Sequence, residues 1–311
     1  MHVVSLGAGA IGGYFAGRLA ASGAADVSFL VRPGRKAQLE RDGLKVESPL
    51  GNFALPVTAR LGSEIGKPAD YVLVTCKAYD LEGAIASIAP AVGPDTAIVP
   101  MLNGLSHLDR LNDAFGRQRV LGGLAQIGIT MLPDGTIKHL NDWARITFGE
   151  QNGALSQRVT DLRAAFDQTK GVEANAVPDI LQKMWEKLVF LSTLASVTCL
   201  MRANIGEISR AAGGSEIMLD LLRRNAQIAG AEGYAVPPDV LDRSQKMLSD
   251  PGSQNAASML RDIERHGPIE GEHIVGFMLK KARQHGLDDT LHRICYAHAE
   301  AYEQRRAAER L

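Results

Sequence analysis

The rhythm of hydrophobic positions changes a little past the middle of this chain. Up to about residue 177, short apolar runs rich in β-branched side chains (residues 3–6, 27–31, 71–75 and 97–100) alternate with segments at helical spacing (11–21 and 81–88). Alternation of this kind predicts βαβ units and a parallel sheet. Between about 120 and 175, Gly122, Gly123, Gly128, Gly135 and Gly149 punctuate short runs such as 135–139 and 145–148. These read as antiparallel strands extending the edge of that sheet, interrupted by a helix over 156–169. From Pro178 onward the pattern is helical almost throughout. One helix opens near Pro178 and runs through Trp185 and Lys187. A second, over 216–232, stops at Gly233, and Pro237-Pro238 opens a third. A fourth covers 269–285 and stops at Gly286, and a fifth runs from 291 to the end. The expected architecture is an α/β domain with a mostly parallel sheet over residues 1–177 and an all-helical domain over 178–311.

Composition narrows the function more than the fold. The 311 residues suit two domains. The formal net charge of −1 provides no general field for nucleic acid or a lipid surface, and 5% aromatic residues supply few stacking platforms. Cys76, Cys199 and Cys295 form no CxxC pair, and no His/Cys cluster has metal-ligand spacing. Neither a metal nor a disulfide framework is expected. Met1–Leu6 lacks the basic start of a secretory leader, and no uninterrupted apolar window reaches membrane-span length. A cytoplasmic location without a membrane partner follows as the expectation.

The strongest local signal is Gly7-Ala8-Gly9-Ala10-Ile11-Gly12, between the first strand and the first helix. Gly7 permits the tight turn, Gly9 lets the backbone approach a pyrophosphate, and Gly12 lets helix and strand pack closely. The helix start then offers unpaired N–H groups to the phosphates. Dinucleotides without a 2′-phosphate are usually held by a carboxylate about 20 residues on. Here the second strand ends instead in Arg32, with Arg35 and Lys36 close behind. A guanidinium at that position suits the 2′-phosphate of NADP(H).

Further segments carry a resemblance. Thr75-Cys76-Lys77-Ala78, Leu102-Asn103-Gly104, Met184-Trp185-Glu186-Lys187-Leu188, and Asn255 through Asp262 followed by Glu270, taken with the glycine motif, resemble the ketopantoate reductase (2-dehydropantoate 2-reductase) family over nearly the whole chain. The resemblance implies a Rossmann domain joined to a helical domain and NADPH-dependent reduction of a 2-oxo acid to a 2-hydroxy acid, a step of pantothenate biosynthesis. Residue by residue, it implies that Lys187 donates a proton to the substrate carbonyl oxygen and that Glu270 helps to hold substrate, lysine and cofactor. It puts Asn103 near the nicotinamide, Lys77 in the cofactor site, and Ser258 at the substrate carboxylate, with Asn255 beside it. Arg32 would read the 2′-phosphate.

The chain departs from the family where pantoate-specific members carry asparagines one and two turns beyond the lysine. Those positions are Leu191 and Ala195, and a third asparagine position is Ile205, next to Asn204. A buried hydroxyl left without a partner costs about 1–3 kcal/mol. A substrate with a more apolar tail than ketopantoate is therefore expected, unless Ser192, Ser196 or Asn255 replaces the lost hydrogen bonds. Two other functions compete. A β-hydroxyacid dehydrogenase of the 6-phosphogluconate or hydroxyisobutyrate type would carry Lys-x-x-Asn, and Phe190 stands at that position. A protein that binds NADP(H) without turnover would need neither Lys187 nor Glu270. The apolar helix faces also suit a homodimer.

Overall fold

The computed structural model describes residues 1–311. The chain divides into two units, Met1–Leu102 with His107–Ile180, and Asn103–Ser106 with Leu181–Leu311. In chain order the strands of the first unit are β1 (His2–Leu6), β2 (Asp26–Leu30), β3 (Leu44–Glu47), β4 (Phe53–Leu55), β5 (Thr58–Arg60), β6 (Tyr71–Val74), β7 (Ala97–Pro100), β8 (Leu121–Met131), β9 (Ile137–Glu150) and β10 (Glu173–Ala176). The order β5-β2-β1-β6-β7 makes an all-parallel sheet. β1, β6 and β7 are buried almost end to end, which is why their sequences are continuous apolar runs. The chain builds outward from β1 to β2 and β5, then returns to place β6 on the other side of β1. That reversal is the switch point at which open parallel sheets bind ligands beyond the strands' C-terminal ends.

Contrary to the expectation from its pattern, the glycine-punctuated region does not extend this sheet. β8 and β9 form one long antiparallel hairpin in a second sheet of order β10-β9-β3-β4, with β8 on β9. β9 has 14 residues and pairs with β8 along its length, and on its other edge with β3 near its start and β10 near its end. The missing partner is β3, Leu-Lys-Val-Glu, whose alternating buried and exposed residues mark a half-buried strand. Tyr14 and Phe15 of the first helix (Ala10–Ser22) pack with Phe148, Phe166 and Ile137 into the core of this unit.

The second unit is helical, and its longest element is Ile180–Met201. That helix is long and apolar enough to cross a membrane by length and composition, and 67% of its most apolar window is buried inside the protein. Helices apolar all round are those packed on all sides. Here the neighbours include Gly214–Ala231 and Thr290–Ala307. Asn225 of the former donates to Thr193, and His292 of the latter meets Asn225 at 2.8 Å. Trp185 stacks on Tyr234 at 6.0 Å between ring centroids and lies against Phe277. The single helix expected over 269–285 is instead a π-helical turn, Glu272–Gly276, running into Phe277–Gln284. Gly276 sits where a Cβ would come within 2.8 Å of the Tyr296 ring. Two short helices, Ile205–Arg210 and Ser258–Glu264, were not evident from periodicity.

Candidate functional site

In the first unit, each glycine of the motif has a distinct geometric task. Gly7 takes φ +93°, which lets β1 turn sharply, and its N–H donates to the Leu30 carbonyl at 2.8 Å. A Cβ on Gly12 would stand 2.5 Å from both the Gly7 carbonyl oxygen and Thr75 Oγ1, so the helix can lie this close to the strand only with glycine there. Gly9 caps the Ala10–Ser22 helix in extended conformation, and a Cβ there would meet nothing within 4 Å. Its freedom therefore serves no internal packing. It leaves open space beside the helix start, where Ala10 and Ile11 follow. That arrangement fits a pyrophosphate. Ser5 Oγ donates to the Gly7 carbonyl and Thr75 Oγ1 to the Leu6 carbonyl, fixing the turn from beneath.

The three basic residues after β2 go to different places. Arg32 precedes the Pro33–Asp42 helix and is exposed, with Asp80 at 3.0 Å. Arg35 turns inward. Its Nη2 and Nε donate to the Ala8 carbonyl at 2.8 and 3.2 Å, and Nη2 also reaches the Gly135 carbonyl of the β8–β9 turn. Lys36 is held by Glu64. Only Arg32 presents its charge outward, so the phosphate reading narrows to that residue. Arg35 braces the glycine turn, a role the spacing gave no sign of. Lys77 follows β6, partly buried, just before a single helical turn at Ala78–Asp80.

The second unit brings Lys187, Asn103 and Glu270 together. The Lys187 ammonium donates to Asn103 Oδ1 at 3.2 Å, across 84 positions of sequence. The lysine side chain remains partly accessible, yet its ammonium is well sunk. Burial pulls its pKa from 10.5 down to about 8, against the opposing pull of the Glu270 carboxylate. Glu270 is 3% exposed. A buried carboxylate beside a buried ammonium keeps the latter charged near neutrality. Asn103 belongs to this unit because Asn103–Ser106 clusters with the helices although the preceding β7 does not.

The other expected substrate residues divide. Leu191 is half-buried and lies about 40° round the helix from Lys187. Ala195 lies about 80° round and is wholly buried, as is Ile205. These two are core positions rather than accessible contacts, which corrects the expectation that all three face the substrate. Asn204 cannot stand in for an asparagine at 205, because its side chain caps the Ile205–Arg210 helix by accepting from the Glu207 N–H at 2.9 Å. Ser192 is buried too, its hydroxyl without a hydrogen-bond partner, and Ser196 is 3% exposed. Neither is an accessible donor. Ser258 is the partly buried first residue of its helix, and Asn255 is exposed with its carbonyl accepting from the Ile205 N–H. Two residues the sequence reading passed over, Ser106 and His273, meet at 3.2 Å, the former three residues after Asn103. Their separation of 167 positions leaves no local signal.

Comparison with known proteins agrees with this geometry. The ketopantoate reductase PanE/ApbA family matches residues 3–153, and its C-terminal family matches residues 179–303. An uncharacterized oxidoreductase, YkpB, of Bacillus subtilis is 32% identical, with 97% of this chain and 99% of the relative covered. A 2-dehydropantoate 2-reductase of Mesorhizobium japonicum is 29% identical over 91% and 92% of the two chains. Among solved structures, D-mandelate dehydrogenase with NADH and anilino(oxo)acetate shares the fold, at a TM-score of 0.88 with 19% identity and 99% of both chains covered.

Proposed function

The chain belongs to the ketopantoate reductase family, an oxidoreductase family acting on CH–OH groups, and from that premise we propose that it reduces a 2-oxo acid to a 2-hydroxy acid with NADPH. The observation that carries the proposal is the Lys187 ammonium, held by Asn103 and opposed by the buried Glu270. When bound, the nicotinamide supplies the hydride. Gly7, Gly9 and the backbone N–H groups at Ala10 and Ile11 would hold the pyrophosphate. Arg32 would exchange Asp80 for the 2′-phosphate. As the carbonyl oxygen gains negative charge, the Lys187 ammonium stabilises it and delivers a proton from Nζ. Glu270 favours the charged lysine, and Asn103 Oδ1 accepts one of its three N–H groups and so restricts its swing. Ser258 would donate to the substrate carboxylate.

The substrate we infer has a more apolar tail than ketopantoate, and Leu191, one turn from Lys187, supports this. The absence of a disulfide at Cys76, Cys199 and Cys295 suits the reducing cytosol, where we place the enzyme, as a homodimer open to size-exclusion measurement. The deciding assay follows oxidation of NADPH, with NADH in parallel, against a panel of 2-oxo acids including ketopantoate. Lys187→Ala should lower turnover by about 10²–10⁴-fold. No oxidation with any 2-oxo acid, or undiminished turnover in the variant, would refute the reductase reading. Ordinary efficiency with ketopantoate would refute only the apolar-tail reading.

A further inference from the structure

Glu270 and Asn103 both act on Lys187, yet they come from distant parts of the chain, and one residue connects their segments. His273 lies three positions after Glu270, in the π-helical turn Glu272–Gly276, and the Ile274 N–H within that turn donates to the Glu270 carbonyl. Its ring Nδ1 is 3.2 Å from Ser106 Oγ. Its main chain meets the same loop a second time. The His273 carbonyl oxygen lies 3.0 Å from where a Cβ on Gly104 would stand, and Gly104 has φ +84°. The loop Asn103–Ser106 is thus approached at two of its four residues by His273, three positions after Glu270. π-helical turns are rare and recur at functional sites, where the extra residue re-aims a side chain.

We propose that His273 and Ser106 form a clasp that fixes Asn103 against the Lys187 ammonium, making both of them positioning residues for proton delivery. The proposal deepens the reductase reading and rests on it for its kinetic consequence. Its physical content is independent of turnover. With the clasp closed, Asn103 Oδ1 accepts from the charged lysine and favours the protonated form, as the Glu270 carboxylate does. With the clasp open, the loop is free to withdraw that acceptor, and the ammonium stays buried beside Glu270 without it. Which ring nitrogen of His273 carries the proton does not alter this, since the serine hydroxyl can donate or accept.

The test uses the full-length protein labelled with 13C at lysine Cε, with the Lys187 resonance assigned by its loss in Lys187→Ala. The titration midpoint is read in the wild type, Ser106→Ala, His273→Leu and His273→Asn. Asparagine keeps a polar atom near the position of Nδ1. A hydrogen bond to a charged group corresponds to about one pH unit or more, so Ser106→Ala and His273→Leu should each lower the midpoint by about one unit, and His273→Asn should restore most of it. In turnover assays at pH 7.5 the first two variants should lower kcat about threefold, as a one-unit fall from about 8 takes the charged fraction from about three-quarters to about one-quarter, and leave KM for NADPH unchanged, with the asparagine variant recovering. A midpoint unmoved in both Ser106→Ala and His273→Leu overturns the clasp. So does a shift that His273→Asn fails to reverse, because loss of packing alone would not discriminate asparagine from leucine in that way. If the wild type reduces no 2-oxo acid, the reductase reading fails, while the titration still decides the clasp.

Discussion

Replacing Glu270 by glutamine tests the electrostatics of the site with little change of shape. Lys187 has a pKa of about 8, the outcome of burial that lowers it and of Glu270 that raises it. The active form in the reductive direction is the charged one, because the ammonium is the proton donor. At pH 7.5 a group of pKa about 8 is about three-quarters charged. Loss of a neighbouring carboxylate typically moves a pKa by about 1–3 units. A fall of about 1.5 units would leave about one-tenth of Lys187 charged at pH 7.5, so kcat should drop about eightfold there. At pH 6 the same fall leaves about three-quarters charged, and kcat should drop by less than half. The direction follows from the linkage. The activity depends on the protonated lysine and disappears as pH rises through its pKa, so depressing that pKa brings the loss to lower pH. The assay is a pH profile of kcat for wild type and Glu270→Gln, from about pH 5.5 to 9.5 so that both midpoints are spanned. Any direct contribution of Glu270 to substrate binding lowers the whole curve equally. An alkaline limb that stays in place, whatever the height of the curve, would refute the coupling.

The nucleotide turn gives further predictions. Arg32→Ala should weaken NADPH binding and leave NADH binding nearly unchanged, because Arg32 alone of the three basic residues presents its charge outward. Arg35→Ala should weaken both about equally, since Arg35 braces the Ala8 carbonyl common to either cofactor's site. Fluorescence titration with the two cofactors separates these outcomes, and equal losses of NADPH and NADH in the Arg32 variant would end the 2′-phosphate assignment. Gly12→Ala should destabilise the protein by about 1–3 kcal/mol through overpacking, seen as a lower thermal midpoint, because its Cβ would press on main chain as well as on Thr75.

Much of the parallel sheet was legible because its strands are buried on both faces and so read as unbroken apolar runs. β3 and the β8–β9 hairpin were harder for opposite reasons. β3 is only four residues long and half-exposed, and β9 is 14 residues long with changing partners, so its pattern of exposure changes along it. The site shows a similar division. The glycine turn is a local constraint, with each glycine required by an atom a few residues away or by open space, and a short motif can carry that. Arg35, Ser106 and His273 have tasks defined only by what the fold brings to them. Arg35 and Lys36 are adjacent basic residues at the start of one helix. One points into the turn and the other toward Glu64, and nothing in their spacing distinguishes them.

Leu191 links the substrate question to the acid–base question. It stands on the same side of the Ile180–Met201 helix as Lys187, one turn away and half-buried. An apolar side chain there adds to the burial that lowers the lysine pKa, and it offers no hydrogen bond to a polar substrate tail. An amide at that position would have both effects reversed. Leu191→Asn should therefore move the alkaline limb of the kcat profile upward in pH. It should also raise efficiency with hydroxylated 2-oxo acids relative to apolar ones by about fivefold, the equivalent of a hydrogen bond of about 1 kcal/mol. The two effects arise from one substitution through separate physical causes, so they can fail separately. An unmoved limb would mean that Leu191 does not shield the ammonium. Unchanged selectivity between the two substrate classes would mean that the tail lies elsewhere, and the case for an apolar substrate would then lose its only accessible residue.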